Sequence, residues 1–212
     1  MRKFPKTDIY AITDSGLSLG RPLEVVVGAL LDAGVTMIQY REKKKKAGEM
    51  LRECELIRKM TRDAGAFFIV NDHVDIAVLV GADGVHVGQE DLPVPAVRKL
   101  VGEDCVIGLS THAPDQVLAA VRDGADYIGV GPLFATQTKE DVSAPVGLEF
   151  LEQVVVMQAL PFAAIGGIKR HNVGDLVRRG CSCCCMVSEL VGAPDIAARV
   201  AEIRKIMKEH GA

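Results

Sequence analysis

One short run, Gln39-Tyr40-Arg41-Glu42-Lys43, sets an amide and two cations at alternate positions directly after the apolar Met37 and Ile38. Alternate side chains of a strand share a face, so Gln39, Arg41 and Lys43 are expected to point the same way. An amide, a planar guanidinium fork and a compact ammonium at a strand exit suit an anion, above all a phosphate. A solvated basic turn is the competing reading, because Lys44, Lys45 and Lys46 follow. Two carboxylates, Asp72 and Asp91, are placed to complete such a site from neighbouring strand ends. Mg²⁺ takes one or two protein carboxylates and fills its shell with phosphate oxygens and water, so this pair facing a diphosphate describes a magnesium site. For Asp72 alone, capping the helix that follows is the alternative. The five histidines (His73, His86, His112, His171, His210) form no H-E-x-x-H spacing, and no G-x-S-x-G elbow occurs. His73 and His86 fall near the site but read as a cap or a satisfied core residue. Nucleophilic catalysis by the protein has no support.

These residues need a scaffold, and the hydrophobic pattern supplies one. Short apolar runs predict strands over Ile9–Thr13, Met37–Arg41, Phe67–Asn71, Gly84–Val87, Val106–Ser110, Tyr127–Val130, Phe162–Ile165 and Cys183–Val187. Amphipathic stretches between them predict helices over Leu23–Ala33, Gly48–Ala64, Asp75–Val80, Val94–Val101, Asp115–Asp123, Leu148–Val156, Val173–Arg179 and Asp195–Glu209. The strands are continuously apolar rather than alternating, as when helices cover both faces of a parallel sheet. Eight β-α units in one domain, residues 1–212, predict an α/β fold, a (β/α)₈ TIM barrel with parallel strands. An open doubly wound sheet is the alternative, but Thr13-Asp14-Ser15-Gly16 is not its glycine-rich nucleotide turn. A barrel carries its chemistry at the carboxyl ends of its strands and a phosphate after strands 7 and 8. Six of the seven strand ends after the first bear charged or hydrogen-bonding side chains, and the other is the Gly166-Gly167 pair. With Val187-Ser188, that pair matches the phosphate position, although a double glycine also serves as a plain tight turn.

A net charge of −3 argues against general binding to nucleic acid or an anionic membrane, and 4% aromatic residues without Trp provide no base-stacking platform. The first residues, MRKFPKTDIY, lack the apolar stretch of a signal peptide, and no run of apolar residues is long enough to span a bilayer. A cytoplasmic protein is expected. Four of the six cysteines crowd into Cys181-Ser182-Cys183-Cys184-Cys185, without the paired C-x-x-C spacing of a structural zinc site. On a strand, Cys183 and Cys185 would face opposite to Cys184, so these thiols read as core filling in a reducing compartment.

In order along the chain, QYREK, VND, GVHVGQEDLP, GLS, GPLFATQTK and AIGGI closely resemble the thiamine-phosphate synthase (thiamine-phosphate pyrophosphorylase) family, from about Ile9 to Arg199. The resemblance implies a (β/α)₈ barrel that joins 4-amino-5-hydroxymethyl-2-methylpyrimidine diphosphate to a thiazole phosphate, releasing pyrophosphate. It implies a pyrimidine diphosphate site at Gln39, Tyr40, Arg41, Glu42, Lys43, Asn71, Ser110 and Lys139, with Arg41, Lys43 and Lys139 as catalytic cations. Thr136, Gln137, Thr138, Gly167, Val187 and Ser188 are similar to positions that hold the thiazole phosphate, and Asp72 and Asp91 to the magnesium ligands. The run GCSCCCMVSEL departs from the family's strand 8: Met186 is bulkier, and Glu189 would repel a phosphate if it turned inward. A thiazole tautomerase on the same barrel is the rival; tautomerases carry His where this chain has Pro132 and lack parts of the charged set. A non-catalytic binder of phosphate ligands is a further alternative. The expected partners are the two small-molecule substrates, with no nucleic acid and no membrane; the oligomeric state is left open.

Overall fold

In a computed structural model that describes residues 3–136 and 144–211, each apolar run pairs in parallel with the next and the eighth returns to the first. The strands are β1 (Ile9–Ile12), β2 (Met37–Tyr40), β3 (Phe67–Asn71), β4 (Gly84–Val87), β5 (Val106–Thr111), β6 (Tyr127–Val130), β7 (Phe162–Ala164) and β8 (Cys184–Met186). Closure comes from β1 against β8, with Ile9 opposite Cys184, Tyr10 opposite Cys185 and Ala11 opposite Met186. The molecule is the TIM barrel its sequence predicts, with helices between strands.

The helices are α1 (Leu23–Asp32), α2 (Ala47–Asp63), α3 (Val74–Val80), α4 (Val94–Val101), α5 (Pro114–Asp123), α6 (Gly147–Met157), α7 (Val173–Arg178), α8 (Ser188–Val191) and α9 (Ile196–Gly211). The longer helices each bury an apolar stripe. On α2 the buried positions include Met50, Cys54, Ile57 and Thr61, and on α9 they are Ile196, Val200, Ile203 and Met207. Both follow the four-three-four spacing of one helical face. Strand alternation divides the core in two. Tyr10, Ile12, Met37, Ile69, Val106, Tyr127, Ala163, Cys183 and Cys185 form one cluster, and Ile9, Ala11, Ile38, Phe68, Ile107, Ile128 and Cys184 belong to the larger one under the helices. The cysteine run obeys this parity, with Cys183 and Cys185 on one side and Cys184 on the other. None of the six cysteines is in a disulfide.

Three boundaries differ from the sequence pattern in ways that affect the site. Strand β2 stops at Tyr40, so Arg41 and Lys43 lie beyond it; β5 runs on through Thr111; β8 is only three residues long. The one-turn α8 and a 3-10 turn at Ser15–Leu17 are too short to leave a periodic signal. No helix among the described residues is long and apolar enough to cross a membrane.

Candidate active site

A cavity of about 160 Å³ opens at the carboxyl ends of the strands, and residues from many of the strand ends line it. From β2 come Gln39 and Arg41, from β3 Asn71, from β5 Ser110 and His112, and from the loop after β6 Thr136. Gly166, Gly167, Val187 and Ser188 close the side formed by β7 and β8. The fold thus brings eight of the sequence-predicted site residues to one cavity: Gln39, Arg41, Asn71, Ser110, Thr136, Gly167, Val187 and Ser188.

Arg41 is the cation set deepest here. Its backbone N–H donates to Thr13 Oγ1 at 3.1 Å, and its Nη1 donates to Asp14 Oδ2 at 3.1 Å. The residue is 7% exposed, and its Nε has no hydrogen-bond partner among the described residues. A buried guanidinium N–H without an acceptor is costly, and in a cavity wall it is a donor ready for an anionic ligand. Lys43 stands further out, more than half exposed, and its Nζ donates to Asp72 Oδ2 at 2.6 Å.

Tyr40 and Glu42, grouped with these residues by sequence, stand elsewhere. Tyr40 faces the helices, where alternation puts it, and its hydroxyl donates to Glu53 Oε2 at 2.6 Å. Glu42 accepts the Ser15 N–H at 2.8 Å. Neither lines the cavity. Gln137, Thr138 and Lys139 lie outside the described residues.

Below the mouth, a chain of hydrogen bonds with no signature in the local residue pattern crosses the barrel. Gln39 Nε2 donates to the Tyr10 hydroxyl at 2.6 Å, and Tyr10 shares a 2.9 Å bond with the Tyr127 hydroxyl. Tyr127 meets His86 Nδ1 at 2.9 Å, and His86 Nε2 meets Ser110 Oγ at 3.0 Å. Burial pushes both phenols well above the usual 10, so both hydroxyls stay protonated. Gly108 makes room for it, since a Cβ there would stand 2.2 Å from the Tyr127 ring and 2.4 Å from His86 Nδ1. His86 therefore has the satisfied core role expected of it, at the edge of the cavity. His112 Nδ1–H donates to the Gly131 carbonyl.

On the opposite wall, Gly166 and Gly167 have φ of 98° and 62° and pack against the loop after β6. A Cβ on Gly167 would meet the Ala135 carbonyl at 2.5 Å, so the close approach is to a neighbouring loop. Glu189 is turned away from the cavity: its carboxylate is paired with Arg199 and lies 3.4 Å from Lys169 Nζ.

The thiamine monophosphate synthase family model matches residues 9–190. A thiamine-phosphate synthase of Lawsonia intracellularis is 56% identical over 198 residues, covering 93% of this chain and 91% of that protein. One from Pelotomaculum thermopropionicum is 56% identical over 202 residues, covering 95% and 93%. The chain belongs to the thiamine monophosphate synthase family. Among solved structures, a thiamine phosphate pyrophosphorylase of Pyrococcus furiosus superposes with a TM-score of 0.87 at 34% identity, covering 98% of both chains. Like other thiamine-phosphate synthases, this barrel is a transferase.

Asp72 and Asp91 are the two carboxylates that a metal ion would use in this site. Asp72 follows β3 with φ of 61°, an uncommon conformation for a residue with a side chain, and its backbone N–H donates to the His86 carbonyl at 2.9 Å. It does not cap α3, which has no side-chain cap; its carboxylate points to Lys43. Asp91 Oδ2 accepts the Gly88 N–H at 2.7 Å in the loop after β4. No group of three or more His, Cys, Asp or Glu that could hold a metal exists among the described residues. Carboxylate oxygens are the donors a hard cation takes when substrate oxygens and water complete its shell, and neither Asp72 nor Asp91 is among the residues lining the cavity.

Proposed function

We propose that this chain couples 4-amino-5-hydroxymethyl-2-methylpyrimidine diphosphate to 4-methyl-5-(2-phosphooxyethyl)thiazole, giving thiamine phosphate and pyrophosphate. The observation that carries the reading is the buried Arg41, whose Nε lacks an acceptor in the wall of a cavity shared with Asn71, Ser110 and Ser188. In the proposed reaction the bond between the hydroxymethyl carbon and the diphosphate oxygen breaks, and the electron pair leaves with pyrophosphate. The aminopyrimidine ring spreads the positive charge left on its methylene carbon. The thiazole nitrogen lone pair then forms the new C–N bond, and no proton has to be removed.

Arg41 and Lys43, with Lys139 assigned by resemblance, stabilise the charge that develops on the leaving group, and Asn71 and Ser110 orient the diphosphate. Gln39, held by Tyr10, presents an amide to the pyrimidine. Thr136, Gln137, Thr138, Gly167, Val187 and Ser188 hold the thiazole phosphate. Holding the two rings together supplies the entropic part of the catalysis. Mg²⁺, held by Asp72 and Asp91, would neutralise diphosphate charge when bound. Six cysteines outside any disulfide support work in a reducing compartment such as the cytoplasm.

Incubation of the purified protein with both substrates and Mg²⁺ tests the reading. Magnesium-dependent release of thiamine phosphate and pyrophosphate in equal amounts is expected. Thiazole isomerisation without pyrophosphate would instead assign a tautomerase, and ligand binding without turnover a binding protein.

A further inference from the structure

Lys169 lies in the loop after β7, next to the cavity-lining Ile168, and nothing in the sequence marked it. Its position is fixed at both ends. The buried Asn172 side chain accepts the Lys169 backbone N–H at 2.7 Å and donates to the Gly167 carbonyl at 3.0 Å, which ties the loop to the glycine wall. At the other end, Nζ donates to Ser188 Oγ at 2.7 Å, and Ser188 lines the cavity. An ammonium therefore sits one hydrogen bond from a hydroxyl that faces the ligand space.

Glu189 explains why the ammonium stays there. This carboxylate is 7% exposed and lies between two cations, 3.4 Å from Lys169 Nζ on one oxygen and paired with Arg199 on the other. Arg199 in turn is fixed by Glu202 at 3.1 Å. With Arg199 held by Glu202 and by one oxygen of Glu189, the other oxygen of Glu189 faces Lys169, which keeps the ammonium beside Ser188 at the cavity. The acidic residue beside the expected phosphate loop thus acts as an anchor for a cation.

We infer that Lys169, held against Ser188 by Glu189, is a specificity residue that selects the phosphorylated form of the second substrate. The inference rests on the thiazole phosphate lying along β7 and β8, as the proposed function has it. Ser188 and Lys169 then donate together to one terminal phosphate, and the ammonium adds a charge-assisted bond that the dephosphorylated alcohol cannot use.

The test compares wild type with Lys169→Met, Lys169→Gln and Lys169→Arg. Lys169→Met and Lys169→Gln are expected to raise KM for the thiazole phosphate by about tenfold or more, the loss of one charged hydrogen bond, with KM for the pyrimidine diphosphate within about twofold. kcat/KM for the dephosphorylated thiazole alcohol should not change, and Lys169→Arg should restore most of the phosphate preference. A merely structural tie between loops would move both substrates, or neither, and either result overturns the inference. If the wild-type protein couples nothing, the proposed function is what fails, and titration with inorganic phosphate still reads this site. Saturable shifts of the Gly167 and Ser188 amides that weaken about tenfold in Lys169→Gln would uphold the cation's role; no phosphate-dependent shift in the wild type would end it.

Discussion

Residue by residue, the site depends on where each charge finds its partner. Arg41 has Asp14 for one nitrogen and leaves Nε open, whereas Lys43 already spends its charge on Asp72. Lysine at position 41 would keep the charge and lose the fork, so R41K is expected to lower kcat/KM for the diphosphate by about 100-fold. Steady-state kinetics at saturating thiazole phosphate measure this; wild-type values would take Arg41 out of the clamp. Asp72→Asn keeps the size of the side chain and removes the charge offered to a cation, so the magnesium concentration for half-maximal rate should rise about tenfold. An unchanged titration would assign Asp72 only to Lys43. Sequence reading reached these residues because strand exits show as polar breaks in apolar runs. The same run carries Tyr40 and Glu42, which stand away from the cavity because alternation sends Tyr40 outward and Glu42 bonds Ser15 beyond the strand. Tyr10 and Tyr127 were hidden for another reason: their hydroxyls meet across 117 residues of chain, and each alone looks like a strand aromatic.

At the level of elements, the barrel's helices are fastened at chosen points by polar pairs under the apolar stripe. Arg58 of α2 donates to both carboxylate oxygens of Asp83 at 2.7 and 3.0 Å, and Asp83 also accepts the Phe68 N–H at 2.9 Å. One carboxylate therefore joins α2, β3 and the approach to β4. Both side chains are about nine-tenths buried, so removing one partner strands a charge that water cannot reach. Asp83→Asn is expected to lower unfolding free energy by about 3–5 kcal/mol, whereas Arg58→Met with Asp83→Leu together should cost less than the sum of the singles. Urea denaturation of wild type, Asp83→Asn, the singles Arg58→Met and Asp83→Leu and their double variant checks this, and strict additivity of the singles would refute the coupling. Element type and order were legible because apolar strand runs and helical stripes are local patterns. The clamps are tertiary, and no spacing announces that Arg58 will find Asp83, or Lys169 find Ser188.

For the whole molecule, a barrel must join its last unit to its first, and here Arg204 of α9 does so. Its guanidinium donates to Asp8 just ahead of β1, at 2.7 and 3.3 Å, and to the carbonyls of Ala33 and Gly34 at 2.7 and 2.8 Å. Asp8 in turn accepts the Ile9 N–H at 2.7 Å, and its own carbonyl accepts from Cys184 of β8 at 2.9 Å. Burial alone would raise the Asp8 carboxyl, but the Arg204 hydrogen bond and charge and the nearby backbone N–H groups outweigh it and hold it below the usual 3.8. A carboxylate depressed in the folded state stabilises it at pH above the unfolded value, and that contribution fades as pH falls from about 3.8 through the lower folded value. Asp8→Asn should therefore be less stable than wild type near neutrality. Because Asp8 and Arg204 are 40% and 33% exposed in their side chains, the gap should be no more than about 1 kcal/mol and should shrink in high salt. Denaturant unfolding of the two proteins at about pH 7, 5, 3 and 2 should show the curves converging only in the most acid samples. If the gap persists unchanged to the lowest pH, the charge on Asp8 contributes nothing to it, and Arg204 supports the β1–β8 seam through its bonds to the Ala33 and Gly34 carbonyls.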